Sequence, residues 1–539
     1  MPTTMMKLDP RIRGATPTIL LVLAVCALAG VLVAPLARRS GGPLDRARAL
    51  TRSAQFADAE QAYLELARQR PASLPVIIEL LDNHAALVAE ATSDRPGAPG
   101  ALPPASPAPS PATLDAPVED VVSAPDLPAG IALLSRWWLS VLLDQPREGE
   151  EAAVLAAASA EPPLPWANHL LGREARHEDD NEKAAEWFAR EATAFDDRHG
   201  DANAACQQWI DADAWPRLAE ALSHPRFAHQ VGAGVRMQDA LRRRDWGAVV
   251  RWFFPSQYEG ATLPILMLAA VSALVWFALC ALIGRVGERP RARVPLFFVA
   301  FVLGIASTYV TMALAIVEQR VLSLAEKGVA LLDLIYFVVG VGVREELSKA
   351  LLFLPLVPVL RRWGSRRESL ACGALVGLGF AAEENVNYFH MGLSTALSRF
   401  LTANFLHIST TGLVAVAIDD AVRGREVRAG DLSRTLVLVV VAHGLYDFFL
   451  STGSADSSFL SMFVFVLLTR RFVDVIRGLP GREGPLARWF LVGLAAVAGT
   501  SFVYASALVG PGHAAMALLE GMFGMVIVAY VFARELSRV

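Results

Sequence analysis

Lysine is almost missing from this 539-residue chain. Lys7, Lys183, Lys327 and Lys349 are the whole set among 49 basic residues, so positive charge is carried by arginine. Cysteine is as scarce, with Cys26, Cys206, Cys280 and Cys372, three of them inside apolar runs. Cysteines so few and so placed exclude a disulfide scaffold and a Cys-x-x-Cys metal site. A basic field is absent too: the net charge is −4, and no nucleic acid partner is expected. Charge is thin overall at 19%, against 54% hydrophobic residues. Average globular domains carry about 25% charged and roughly 45–50% apolar residues, so this chain is too oily to be wholly soluble.

Residues 40–260 lack any long apolar run. A spanning helix needs about 20 apolar residues. The first candidate is 16–37, TPTILLVLAVCALAGVLVAPLA, preceded by Lys7, Arg11 and Arg13. Its length and the lack of a small-x-small cleavage site favour an uncleaved anchor, spanning 1–39, over a removed signal peptide. From 261 onward, apolar blocks fall at 261–284, 295–317, 329–360, 369–391, 401–422, 433–450, 457–469, 487–509 and 514–533. With the anchor, they predict about ten crossings. The expected fold class is all-α: a polytopic helical membrane protein with an extracytoplasmic α-helical domain. Arginine-rich loops at 285–293, 361–367, 423–428 and 470–477 stay cytoplasmic under the positive-inside rule. Both termini then lie inside and 40–260 outside. Arginine-heavy, alanine-rich usage suggests a bacterial plasma membrane. Block 329–360 is too long for one straight crossing, and Pro355 and Pro358 predict a break in it.

The outer region reads as helical over 40–90 and 129–260. Ala59, Tyr63 and Ala67, and again Ala184, Phe188 and Ala192, repeat at four-residue spacing; Trp246 to Phe254 is a looser third stretch. Small-aromatic-small spacing is tetratricopeptide-like, although an ordinary helical bundle fits it as well. The Pro- and Ala-rich stretch 91–128 is expected to be an extended linker without helix. By fold-level analogy, such a helical domain would take a protein partner.

Ionisable residues inside apolar blocks cost a few kcal/mol each by insertion scales, so each asks for a reason. VVGVGVREELSKALLFLPL places Glu345, Glu346 and Lys349 mid-block. Lys349 is i+4 from Glu345 and i+3 from Glu346, a general base with a charge partner. GALVGLGFAAEENVNYFHMG carries Glu383, Glu384, Asn385 and Tyr388 behind Gly373, Gly377 and Gly379, glycines that let helices approach closely. His407 comes next, with Thr410 and Thr411 one turn on, and then His443 with Asp447 at i+4. A carboxylate beside a histidine fixes its tautomer, in a metal's surroundings or in acid–base work. Counted from the assigned outer ends, Glu345, Glu346, Glu384, His407 and His443 fall at a similar depth. The bland readings are a short turn at 345–349, a helix end at Glu384 and buried structural histidines. Asp419 and Asp420, at a cytoplasmic end, read as structural.

Glu345-Glu346-x-x-Lys349, Phe380-x-x-x-Glu384-Asn385-x-x-Tyr388, His407 and His443-x-x-x-Asp447, in this order on successive helices, resemble the PrsW intramembrane proteases. These belong with CAAX prenyl endopeptidases and bacteriocin-processing immunity proteins. The resemblance covers 261–475 and leaves 476–539 as additional transmembrane helices. It implies a peptidase acting on a membrane-anchored protein, the best-known case being first-site cleavage of an anti-sigma factor in bacterial signalling. By motif position Glu345, Glu346, Glu384, His407 and His443 match the family's essential polar residues; Lys349 joins them, with Asn385, Tyr388 and Asp447 supporting. The chain has no His-Glu-x-x-His, the nearest being His177-Glu178-Asp179-Asp180-Asn181, and no Gly-x-Ser-x-Gly, so water is the expected nucleophile. Two routes stay open. Glu345 or Glu346 takes the water's proton while His407 and His443 stabilise the oxyanion. Alternatively, Glu384, His407 and His443 bind Zn²⁺. The rival functions are a proton-coupled transporter, against which the lack of an inverted repeat counts, and a non-catalytic receptor or scaffold.

Overall fold

Internal contacts divide the chain into residues 36–260 and a second unit made of 1–35 and 261–539. The computed structural model describes residues 16–40, 42–52, 55–69, 73–92, 111–145, 149–322, 324–389, 393–424, 431–452, 455–480 and 486–538. All regular elements among these residues are helical, as the periodicity predicts.

The polar unit is a succession of short helices from Pro43–Arg52 to Trp246–Gln257, in which chain neighbours pack on one another. Ala59, Tyr63 and Ala67 are buried, as are Ala184, Phe188 and Ala192. A Cβ on Gly172 would stand 2.7 Å from the Phe188 ring, so the absent side chain makes room for the knob. Left-handed residues end several helices, among them Asp179 (φ 59°), Asp213 (φ 56°) and Arg244 (φ 57°). The residue after two of these turns caps the next helix: Asp180 accepts from the Lys183 N–H at 3.1 Å and Asp245 from the Ala248 N–H at 3.0 Å. The stretch from His177 to Asn181 is therefore a helix-ending turn. Asp82 ties three helices together by accepting from Trp138 Nε1 at 3.0 Å and Arg173 Nη1 at 2.7 Å.

One expectation needs correction. The stretch 91–128 is not helix-free: Leu74–Thr92 runs into it and Pro111–Val122 is a helix, while 93–110 lie outside the described residues. The cause is burial. Val118, Val121 and Val122 share one face and are all under 9% exposed, and packing of an apolar face outweighs a weak local propensity. Pro111 sits at the first position, where its missing N–H costs nothing.

In the membrane unit we label ten helices: α1 (Thr16–Ser40), α2 (Leu263–Ile283), α3 (Pro290–Val317), α4 (Val343–Phe353), α5 (Arg366–Tyr388), α6 (Ala403–Val422), α7 (Asp431–Ser451), α8 (Ala455–Arg477), α9 (Leu486–Val509) and α10 (Pro511–Ser537). Among the described residues, five helices are long and apolar enough to cross a membrane: Leu263–Ile283, Pro290–Val317, Thr395–Val422, Asp431–Ser451 and Leu486–Ala507. The long block before α5 is broken as its prolines predict. Ala330–Ile335 leads into a π-helical stretch, Tyr336–Gly342, then α4, then a 3-10 turn at Leu354–Leu356 containing Pro355, then Val357–Trp363.

α5 is the centre, capped at its start by a reciprocal Ser365–Glu368 box and buried over most of its length. Glycines set its neighbours' distance. A Cβ on Gly377 would lie 2.0 Å from the His407 carbonyl oxygen of α6, and one on Gly373 2.8 Å from that of Thr411. On the α3 side, a Cβ on Gly379 would lie 2.0 Å from the Phe301 oxygen, and one on Gly304 2.1 Å from the Val376 oxygen. Gly342 and Gly444 bring the π-helical stretch close to α7, where a Cβ on either would lie 2.5 Å from a facing carbonyl oxygen. Without a hydrophobic driving force in lipid, such backbone proximity is what packs helices. Trp276 of α2 seals the bundle among Phe400, Phe405, Phe490 and Phe532, and its indole N–H donates to the Phe400 carbonyl at 2.8 Å.

Candidate active site

α4 begins straight after the π-helical stretch and carries Glu345, Glu346 and Lys349 inward; all three are buried, Lys349 at 0% exposure. Its ammonium lies 2.8 Å from Glu346 Oε1 and 3.4 Å from Glu345 Oε2. It also lies 2.8 Å from His407 Nδ1, and 4.2 Å from the centre of the Phe380 ring. Because an ammonium can only donate, His407 accepts at Nδ1. Its Nε2–H then points at Glu384 Oε2, 3.0 Å away. The neighbouring Arg344 is turned aside, paired with Glu318 at 2.9 Å.

α7 brings His443 to the other side of the carboxylates. Its Nδ1 is 2.7 Å from Glu346 Oε1, and its Nε2 is 3.5 Å from Glu345 Oε2 and 3.3 Å from Asp447 Oδ2. The two imidazoles stand 5.1 Å apart, centre to centre. α4, α5, α6 and α7 thus each deliver at least one ionisable group to one buried cluster. Within it the Glu346 carboxylate is asymmetric. Its Oε1 takes Lys349, His443 and the Thr410 hydroxyl (3.2 Å), whereas its Oε2 is buried without a hydrogen-bond partner among the described residues.

Glu384 sits at the far side of His407. Arg399 Nη2 donates to it at 2.8 Å, Arg399 Nε donates to Asn385 Oδ1 at 2.8 Å, and the guanidinium lies 4.0 Å from the centre of the Tyr388 ring. Asn385 continues through Asn404 to the Ser272 hydroxyl, each step 2.8 Å. Adjacent Glu383 faces away and accepts from Tyr309. Asp419 and Asp420 are remote from the cluster, paired with Arg423 and Arg366 at 2.8 Å each. Arg399 and Asn404 escape a reading by spans: Arg399 lies in a loop assigned outside, where its one signal is being a lone positive charge.

Three groups could hold a metal. One ligand atom each from Glu345, His407 and His443 lie within 4.8 Å of one another. This trio contains Glu345 where the sequence suggested Glu384. Two imidazoles and a carboxylate are a donor set of zinc hydrolases, which keep a further position open. The orphaned Glu346 Oε2 lies on a carboxylate beside that trio. The residues fit a divalent ion of the zinc type.

Fold and site define a polytopic membrane protein with a carboxylate–imidazole–lysine centre inside its helical bundle, a membrane-embedded hydrolase by class. Residues 292–470 match the model of the PrsW family intramembrane metalloproteases, and the chain is an intramembrane protease carrying that family's region. No curated protein and no solved structure matches it.

Proposed function

We propose that the chain hydrolyses peptide bonds of membrane-anchored proteins, with Glu346 as general base through its free oxygen. The carrying observation is that asymmetry: Oε1 is saturated by donors that hold the carboxylate still, and Oε2 is left to take a proton from water. Lys349 balances the charge of the paired carboxylates in a medium where an unpaired charge is costly. His443 stands beside that pair, with Nδ1 2.7 Å from Glu346 Oε1 and Nε2 3.5 Å from Glu345 Oε2, and holds the two carboxylates in place. Glu384, fixed by Arg399, keeps His407 in the tautomer whose Nδ1 accepts. Glu345, His407 and His443 are the residues that would hold Zn²⁺, and the ion would supply Lewis acidity and a more acidic water.

The substrate class is a single-span membrane protein, for which the anti-sigma factor of the resemblance is the type. In this reading the chain crosses a bacterial plasma membrane about ten times, with both termini cytoplasmic. Residues 40–260 lie outside, where a tetratricopeptide-like surface recruits protein partners. The test is proteolysis of a panel of single-span membrane proteins by the purified full chain, beside Glu346→Gln. Loss of a general base lowers the rate by about 10²–10⁴-fold. Cleavage by Glu346→Gln at the native rate removes Glu346 from the mechanism. A wild-type chain that cleaves no panel member favours a receptor or transporter.

A further inference from the structure

Where α2 and Val357–Trp363 end and α3 and α5 begin, helix ends enclose a cavity of about 810 Å³, and no residue of the catalytic cluster lines it. Its wall is arginine: Arg285 and Arg289 from the α2–α3 turn, Arg293 from the first turn of α3, Arg366 and Arg367 from the first turn of α5. Three carboxylates share the wall and are engaged by it. Glu288 meets Arg285 and Arg293 at 3.1 Å, Glu368 meets Arg293 at 2.8 Å and Asp420 meets Arg366 at 2.8 Å. The lining as a whole keeps a surplus of two positive charges. Arg367, only 6% exposed, is fixed by donating to the Ile283 and Pro480 carbonyls at 3.2 and 3.0 Å. A guanidinium fork held in place is the group that recognises phosphate.

A second cavity, about 380 Å³, shares Arg366 and Asp420 with the first and lies between α6, α7 and α8. Asp431, Arg434, Thr435 and Arg471 line it too, with Arg434 3.7 Å from Asp431, and Leu413, Val416 and Leu438 make the apolar part of its wall. An arginine-walled cavity beside a slot whose wall is part charged and part apolar suits an anionic head joined to a hydrocarbon tail. A free phosphate ion would leave most of the first cavity empty and has no use for the slot. Trp363, 65% exposed, stands on the wall of the first cavity with the Arg362 guanidinium 5.0 Å from its ring centre. Tryptophan collects at the headgroup level of membranes.

We propose that the two adjacent cavities bind an anionic phospholipid, its phosphodiester on Arg289, Arg366 and Arg367 and an acyl chain against Leu413, Val416 and Leu438. The experiment uses the delipidated full chain in detergent. Retention of phosphatidylglycerol and phosphatidylcholine is measured by native mass spectrometry for wild type, Arg289→Gln and Arg291→Gln. Arg289 lines the cavity; Arg291, two residues on in the first turn of α3, is exposed and does not line it. A basic residue near an anionic lipid contributes about fivefold in binding, so the surplus predicts a preference for phosphatidylglycerol of roughly tenfold or more. Arg289→Gln should lose about fivefold of it, with Arg291→Gln within about twofold of wild type. Equal retention of the two lipids overturns the proposal, and so does equal loss in both variants, which would mean bulk surface charge alone. Displacement of phosphatidylglycerol by millimolar inorganic phosphate overturns the lipid assignment and gives the arginines to a soluble phosphate. Melting temperatures of both variants, expected to match wild type, exclude a folding defect as the cause.

Discussion

Gly377→Ala tests the link between helix packing and chemistry. A Cβ at this position would stand 2.0 Å from the His407 carbonyl oxygen, 2.5 Å from its carbon and 3.0 Å from the Ile408 nitrogen. All three are backbone atoms, so no rotamer change relieves the contact. Carbon–oxygen contacts between packed helices settle near 3.3–3.6 Å, so α6 must retreat by roughly 1 Å or more. The same residue carries the imidazole that meets Lys349 at 2.8 Å and Glu384 at 3.0 Å. A shift of that size opens both contacts beyond hydrogen-bond length. Overpacking of this kind costs about 1–3 kcal/mol of stability, and a misplacement of about 1 Å costs on the order of 10²-fold in rate. The assay is the cleavage rate of the full chain in detergent, read beside its melting temperature. Gly478→Ala is the control, because its nearest neighbours would be 3.5 and 3.7 Å away. A Gly377→Ala protein with native rate and native melting temperature would refute the reasoning, since the two backbones could not then be in contact.

Further expectations concern the metal, the arginine brace and the polar unit. Stripping with a chelator should abolish cleavage and Zn²⁺ should restore it. His443→Ala should lose bound zinc by elemental analysis while Glu384→Gln retains it; the reverse pattern would return Glu384 to the ligand set. Arg399→Met frees Glu384 and Asn385 and should cost about 10–100-fold in rate with zinc content unchanged, the usual size for a residue that orients a ligand; Arg399→Lys should recover only part, since one ammonium cannot serve both partners. Asp82→Ala removes the acceptor for Trp138 and Arg173 and should weaken the polar unit by about 1–3 kcal/mol. Faster hydrogen exchange across 129–142 and 167–177 would report it, and unchanged exchange would count against the brace.

Helical blocks and their breaks were legible because they rest on local chemistry. The prolines of 355 and 358 interrupt a ladder wherever they stand, and apolar runs of bilayer length have few alternatives. Buried ionisable residues were legible as a set, since each is anomalous in its own segment. Their pairing within one helix was legible too, Lys349 with Glu345 and Glu346 and His443 with Asp447, but their pairing across helices was not. That Glu345 comes within 4.8 Å of ligand atoms of both histidines while Glu384 is held by Arg399 depends on how four helices rotate against one another, which glycines decide through distances invisible in one dimension. The helix at 111–122 was hidden for a similar reason, because its valines acquire a partner only in three dimensions.

The seven π-helical residues from Tyr336 to Gly342 lead without a break into the turn that presents Glu345, Glu346 and Lys349. In an α-helix each residue rotates the chain by about 100° and advances it by about 1.5 Å. The stretch therefore works as a spacer of fixed count between α7's glycine contact and the chemistry. Exposed Val339 can change identity with little effect, but one residue gained or lost would swing the charged face of α4 off both imidazoles. In comparing related chains, a gap across 336–342 would mark a loss of catalysis more surely than a substitution there, because length rather than side chain is what this segment encodes.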